Sequence, residues 1–416
     1  MNKIKKLSLN CETCITKPCQ IGCPLNNDIP AFIKCIKENN YHKAYIILKE
    51  TTILPSICGR ICPHLKQCEG SCLKGVTHDN VQIGQLEAYI GDLAIKNLWN
   101  SYITPRTNYK VAIIGGGPSG LTCASFLNRN GINATIYEKY NYLGGLLVHG
   151  IPEFRLPKTI VKQVTDNIIK QGVKVKYNME LGKNITIEQL KKEYDAIYLA
   201  IGANVSNKMN IPGEDLTGVY GGNELLEHKI QLDYQNKEVV ISGAGNVAMD
   251  VSRTIKRLGA KRVTIIYRRS EKEMPADLKE VISAKEDGIE FIYLTNIIKI
   301  NGDKLVNSIE VVRTKLTESS DGSRIEPIEI EGSNYTIPCD YVIMAIGSHQ
   351  DKIVDEINLE KNHQGKIQID SYGRTNDQVI FSGGDVAGTK STVAWASMAG
   401  RNAAEGIIKY LQTIKK

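Results

Sequence analysis

Short apolar runs recur along this chain, and several lead into a glycine-bearing turn. Residues 111–114 (VAII), 134–137 (ATIY), 239–242 (VVIS) and 263–267 (VTIIY) are such runs, and 194–202 (YDAIYLAIG), 340–347 (DYVIMAIG) and 379–385 (VIFSGGD) end in glycine or glycine–aspartate. A short continuous apolar run bounded by turn residues reads as a strand of a parallel sheet buried on both faces. Helical stretches follow at 118–128 and 249–258, and from about Thr392 onward (STVAWASMAGRNAAEGIIKYL). The first hundred residues lack this alternation and read as helices at 29–51 and 83–98. Thr104-Pro105-Arg106 reads as a linker, and 150–157 as irregular, because Pro152 and Pro157 break any helix there. The pattern predicts a helical segment followed by alternating α/β structure.

The turn after the first run carries Gly115, Gly117 and Gly120 in G-x-G-x-x-G spacing, with Pro118 and Ser119 between them. Each glycine has a job in a dinucleotide site. Gly115 permits the tight strand-to-helix turn, Gly117 lets a pyrophosphate approach the backbone, and Gly120 lets helix and strand pack closely. Glu138 closes the next strand 18 positions after Gly120, where a carboxylate can accept from ribose hydroxyls. A second turn repeats the pattern as Gly243-Ala244-Gly245-Asn246-Val247-Ala248. Its following strand ends in Arg268-Arg269 instead of an acid, which suits the 2′-phosphate of NADPH over the free hydroxyl of NADH. Backbone approach to a ring system is expected at the glycines of Leu143-Gly144-Gly145, with Leu146 beside them in the cofactor site. Gly202, Gly347 and Gly384-Asp385 end the closing strands.

The 416 residues allow about two to four domains. The formal charge is +7, but the cations are spread along the chain and aromatics are not interleaved with them. No nucleic-acid surface is expected. MNKIKKLSLN is followed by cysteines and polar residues and not by an apolar signal core, and the longest uncharged stretch, 111–128, is the glycine turn itself. A cytoplasmic protein without a membrane partner is expected.

The cysteines change the picture. Of eleven, nine fall within residues 11–72. Eight of these form two groups: Cys11, Cys14, Cys19 and Cys23, then Cys58, Cys62, Cys68 and Cys72; Cys35 lies between them in a helical pattern and reads as a small core residue. Such a collection in a cytosolic chain points to metal and not to disulfides. Groups containing Cys-Pro resemble iron–sulfur loops, in which soft thiolates suit iron and one cysteine can serve the other cluster. Two structural zinc sites are the rival, although only Cys11 and Cys14 have the paired spacing zinc favours. Eight thiols match the needs of two cubanes, but Cys58 precedes the GRICP turn, where its role is open.

With NDIPAFIK (27–34), GRICP (59–63), VQIGQLE (81–87) and GGLLVHGIPEFRLPK (144–158), these groups resemble the glutamate synthase small-subunit family, and equally the electron-input half of dihydropyrimidine dehydrogenase and its separate bacterial subunit. The resemblance runs from Cys11 to about Tyr410. It implies a helical domain with two [4Fe-4S] clusters (1–105), an FAD domain in two parts (106–228 and 351–416) and an NAD(P)H domain inserted between them (229–350), both nucleotide domains being doubly wound. It implies that Cys11, Cys14, Cys19 and Cys72 hold one cluster. Cys23, Cys62 and Cys68 hold the other with Glu87, for which Cys58 is the competitor. It places Arg155 beside the flavin, Asp385 on the ribityl chain of FAD, and the helix starting near Thr392 against the flavin ring. It further implies that electrons leave NADPH through FAD and the clusters to a larger catalytic subunit. The dihydropyrimidine dehydrogenase subunit, an electron-bifurcating transhydrogenase and a sulfide-type oxidoreductase are the alternatives. A disulfide reductase would need a cysteine pair near the flavin, where only Cys123 stands; Cys339 lies in the insert.

Overall fold

The computed structural model describes residues 3–76, 80–99, 104–228, 230–318, 325–388 and 390–414. They divide into two compact units. One comprises Met1–Val148, Glu153–Ala203 and Gln350–Lys416, the other His149–Pro152 and Asn204–His349.

The first unit opens with helices Lys3–Leu9, Pro18–Ile21, Ile29–Lys37, Tyr41–Lys49, Pro55–Ile61 and Ile83–Lys96. Asp28 starts the third of these by accepting from the Ala31 N–H, with Pro30 in the first turn, where its missing N–H costs nothing. Phe32, Ile33 and Ile36 then fall on one face and pack with Leu48, Leu86 and Ile90. Cys35 is buried in the same core, as its position in the helical pattern predicts.

The rest of the first unit is a five-stranded parallel sheet in the order Ile380–Ser382, Ala196–Leu199, Lys110–Ile114, Asn133–Glu138, Lys174–Tyr177. The chain leaves this sheet after the fourth strand and returns for the edge strand more than 170 residues later. The helices Pro118–Arg129 and Val393–Thr413 pack against one another; a side chain at Gly400 would put its Cβ 2.1 Å from the Ser119 carbonyl oxygen.

The second unit repeats the design. Its parallel sheet has the order Val219–Gly221, Tyr341–Met344, Glu238–Ser242, Arg262–Tyr267, Glu290–Tyr293. An antiparallel excursion, Thr295–Gly302, Val306–Thr317, Glu326–Glu329 and Tyr335–Pro338, is built onto it. Ile297, Ile309 and Val311 of the excursion bury against Val240, Ile266 and Val342 of the parallel sheet.

The second compact unit takes in Asn204–His349, where Val205–Ser206 pairs with Ser348–His349 and Val219–Gly221 joins the second sheet. The amino-terminal helices lie in the same compact unit as the first sheet, and the Arg129 guanidinium bonds the Lys49 carbonyl between them. The second fingerprint helix starts earlier than 249, at Asn246. Among the described residues no helix is long and apolar enough to cross a membrane.

Candidate functional site: two nucleotide turns and two thiol sets

The first turn is built from backbone. Gly115 has φ +104°, a conformation that side chains strain to adopt, and a Cβ there would sit 2.5 Å from the Ala200 carbonyl oxygen. Its N–H donates to the Tyr137 carbonyl at 2.9 Å, which locks the turn to the neighbouring strand. A Cβ on Gly120 would lie 2.0 Å from the Gly115 carbonyl oxygen, so helix and turn are in contact. A Cβ on Gly117 would meet nothing within 4 Å, so that side of the turn is open. Gly117 is also the N-cap of the helix, which begins at Pro118 and receives no side-chain cap. Open backbone at an uncapped helix N-terminus suits an anion.

Glu138 is buried at the end of the next strand. One oxygen accepts from the Gly116 N–H at 2.7 Å and the other from the Tyr140 N–H at 3.0 Å. The Gly144 N–H donates to the Gly116 carbonyl at 2.8 Å, which brings Gly145 (φ +52°) over Gly117 and starts the short helix Leu146–His149. Gly202 (φ +75°) is open like Gly117. Arg155 is half-buried in the loop before Lys158–Lys170.

Across the sheet, Gly384 (φ +75°) approaches Ser119, whose hydroxyl is 2.7 Å from that of Tyr198. Asp385 follows, half-buried, with one buried carboxylate oxygen lacking a hydrogen-bond partner. Burial pushes its carboxyl above the usual range, against the pull of Lys366. An unsatisfied buried acceptor costs stability unless a ligand donates to it, and a polyol chain offers such donors. Thr392 caps the carboxyl-terminal helix by accepting from the Trp395 N–H at 3.3 Å. These residues fit FAD.

The second turn reproduces the first. Gly243 has φ +113°, donates to the Ile266 carbonyl at 3.1 Å, and would place a Cβ 2.3 Å from the Ala345 carbonyl oxygen. Gly245 is open, with only Pro275 at 4.0 Å, and Ala248 is fully buried at the third position. Asn246 accepts from the Asp277 N–H at 2.9 Å, Val247 packs near Gly222, and Gly347 has φ +111°. The arginines part company. Arg269 is buried, and its Nε donates to the Ile325 carbonyl at 3.0 Å. Arg268 is exposed at the end of the strand, held by its own carbonyl, which accepts from Thr314 at 2.8 Å. Of the pair, Arg268 is the one presented to solvent.

The thiols gather as two sets. Cys11, Cys14, Cys19 and Cys72 line one cavity with Pro18 and Ile29. Around them Thr13 and Lys17 take left-handed backbone, φ +53° and +44°, uncommon for non-glycine residues. The Thr13 N–H points at Cys11, and those of Cys19 and Gln20 at Cys19. The second set is Cys23, Cys62, Cys68 and Glu87; each thiol lies within electrostatic reach of the Glu87 carboxyl. Cys58 is buried, hydrogen-bonded to Cys62 and within electrostatic reach of Cys23.

Burial first, and neighbouring acids after it, push the Cys19 thiol up to about 11 and the Cys23 thiol up to about 12, and burial pushes the Glu87 carboxyl up to about 8. Such a group of acids is stable as anions only against a compensating positive charge, which iron supplies. Among the described residues, no three His, Cys, Asp or Glu converge as for a single ion. Gathered thiols with N–H groups aimed at sulfur fit iron–sulfur chemistry of the 4Fe-4S type.

Once iron is removed, raised acids make stability depend on pH. Folded Glu87 keeps its proton up to about 8, while the unfolded side chain loses it near 4.5, so the folded state binds more protons in this window and stability falls as pH rises through it. Glu87→Gln is expected to flatten that slope in thermal melts of chelator-treated protein.

Asn27 carries a role that motif reading missed. Its side-chain amide donates to the Glu87 carboxylate at 3.3 Å, its backbone N–H points at Cys23, and the Thr51 hydroxyl donates to its side-chain Oδ1 at 2.5 Å. The only signal is its place in NDIPAFIK, four residues after Cys23.

Comparison with known proteins follows this division. The pyridine nucleotide-disulphide oxidoreductase family matches residues 109–403, and the dihydropyrimidine dehydrogenase domain II, 4Fe-4S cluster family matches residues 2–99. The glutamate synthase [NADPH] small chain of Halomonas elongata is 36% identical over 421 residues, covering 96% of this chain and 89% of that protein. That of Escherichia coli K12 is 35% identical, covering 97% and 90%. The NADPH-Fe(3+) oxidoreductase subunit beta of Geobacter sulfurreducens is 36% identical, covering 95% of this chain and 64% of that protein. Among solved structures, Mycobacterium tuberculosis FprA in complex with NADPH aligns with a TM-score of 0.64 at 20% identity, covering 74% of this chain and 85% of that one. Lactococcus lactis thioredoxin reductase aligns at 0.57 with 22% identity, covering 74% and 100%. At those identities the structures share the fold.

Proposed function

This chain belongs to the family of FAD- and NAD(P)H-binding iron–sulfur oxidoreductases that includes the glutamate synthase small chain, and from that premise we propose that it takes electrons from NADPH and delivers them, through two [4Fe-4S] clusters, to a larger catalytic subunit. When bound, the flavin and nicotinamide supply two-electron chemistry and the clusters one-electron chemistry. The chain's own residues bind and orient. On this reading Gly115, Gly117 and Gly120 seat the flavin pyrophosphate, Glu138 the adenosine ribose and Asp385 the ribityl chain. Gly243, Gly245 and Ala248 seat the nicotinamide dinucleotide.

The observation that carries the proposal is the packing of both thiol sets into the same compact unit as the flavin cradle. The partner is inferred from relatives named as a small chain and a subunit beta. Glutamate synthase is the favoured assembly, since the relatives of that name match along about nine-tenths of their own length. A disulfide reductase is not supported. Cys123 is the only cysteine in 104–203 and 350–414, and it is buried in a helix.

NADPH is the proposed donor because Arg268 is exposed where a 2′-phosphate would lie. Arg268→Ala is expected to raise the KM for NADPH about tenfold or more, the value of a charge-assisted pair, and to leave that for NADH nearly unchanged. Steady-state rates with an artificial acceptor read both constants.

Anaerobic purification with iron, sulfide, zinc and flavin analysis, followed by NADPH titration watched by absorbance, tests the whole reading. About eight irons with one FAD that NADPH bleaches is the expected result. Zinc in place of iron would sink the electron-exit route.

A further inference from the structure

The carboxyl-terminal helix Val393–Thr413 touches both cofactor regions of the first unit within two consecutive residues. Gly400 lies against Ser119, so the helix is fixed to the turn that seats the flavin. The next residue, Arg401, turns to the helical segment. Its guanidinium donates from one nitrogen to the Leu25 carbonyl at 2.8 Å and to the Thr51 carbonyl at 3.1 Å, bonds that close across 376 and 350 positions of sequence. Those two carbonyls bracket the hydrogen-bond network of the second thiol–carboxylate set. The N–H groups of Leu25 and Asn27 point at Cys23, the Thr51 hydroxyl holds the Asn27 side-chain Oδ1, and the Asn27 side-chain amide holds Glu87. The guanidinium is half-buried, and its charge lies within electrostatic reach of Cys23.

We propose that Arg401 is a positioning residue that fastens the Cys23–Asn27 loop to the flavin-binding frame and places one positive charge beside the cluster held by Cys23, Cys62, Cys68 and Glu87. This rests on the cluster reading above. A fixed positive charge favours the state that has gained an electron, and groups that bond to a ligand's neighbours tune a metal centre nearly as strongly as the ligands do. Arg401 therefore raises the reduction potential of this cluster, making it the better acceptor of electrons from the flavin. The bifurcated donation also keeps the loop's N–H groups aimed at sulfur, so the effect has an electrostatic part and a geometric part.

The test uses the full-length protein, loaded anaerobically and titrated with dithionite against mediators, with the reduced clusters followed by electron paramagnetic resonance. Arg401→Gln and Arg401→Lys are compared with the parent. Arg401→Gln is expected to keep its iron and flavin. At the poise where one cluster signal of the parent is half developed, its reduced-to-oxidised ratio should fall about tenfold, with the other signal unmoved. Arg401→Lys, which keeps the charge, should recover most of that ratio. An unchanged ratio in Arg401→Gln overturns the proposal. So does an equal loss of iron from both variants, which would make Arg401 a staple of the fold. A parent protein that binds no iron would be a different result, because it removes the cluster reading itself.

Discussion

Gly117→Val is expected to give a folded protein that lacks flavin. The substituted Cβ meets nothing within 4 Å and φ is −75°, which valine accepts, so the melting temperature of the flavin-free protein should change little. Gly at a helix N-cap is itself only a moderate cap, which limits the cost of replacing it to about 1 kcal/mol. The open side of Gly117 is the approach proposed for the pyrophosphate, and a branched side chain there fills it. Flavin content after purification should drop at least about tenfold, with NADPH-dependent activity falling in step. Gly120→Val makes the contrast. Its Cβ would lie 2.0 Å from the Gly115 carbonyl oxygen, and Gly115 cannot retreat because Ala200 is behind it. That variant should lose stability as well as flavin. If Gly117→Val retains its flavin, the pyrophosphate does not lie where this turn places it.

The second large effect concerns the thiol–carboxylate set. Cys62→Ser and Glu87→Ala are each expected to remove roughly half the iron and to abolish electron delivery to an external acceptor, while NADPH still bleaches the flavin. Cys58→Ala should keep its iron. Glu87 lies near all three thiols of the set, whereas Cys58 bonds to Cys62 and lies within reach of Cys23. Iron per flavin and the rate of acceptor reduction separate the outcomes. Full iron in Glu87→Ala together with loss in Cys58→Ala would exchange their roles.

Much of this architecture is legible in the sequence because it is local. A buried parallel strand announces itself as an unbroken apolar run, and a turn under steric compression requires glycine, so both fingerprints can be read directly from 111–138 and 239–269. The antiparallel excursion could not be read that way. Val306–Thr317 mixes buried and exposed positions without strict alternation, and its partners are short and polar on one face. The start of the second unit was hidden for a related reason: Val205–Ser206 and Val219–Gly221 are two and three residues long, too short for any period. At the site, the sequence offers Arg268 and Arg269 as equals. Only packing separates them, because the burial of Arg269 depends on the Ile325 carbonyl 56 positions away. Asn27 and Arg401 escape for the same reason. Their partners are distant in sequence, and neither belongs to a residue type that spacing singles out.

The near-identity of the two glycine turns carries a risk that their strand ends resolve. Gly115 over Ala200 and Gly243 over Ala345 present almost the same cradle, so a newly made chain offers two similar berths to two adenine dinucleotides. A buried carboxylate, Glu138, closes one berth and an exposed guanidinium, Arg268, the other. On the proposed assignment the first repels a 2′-phosphate and the second attracts it, so opposite charges at matching positions sort the cargo during maturation. Exchanging the two charges would then do more than weaken either site: it would let the mobile substrate compete for the seat of the resident one.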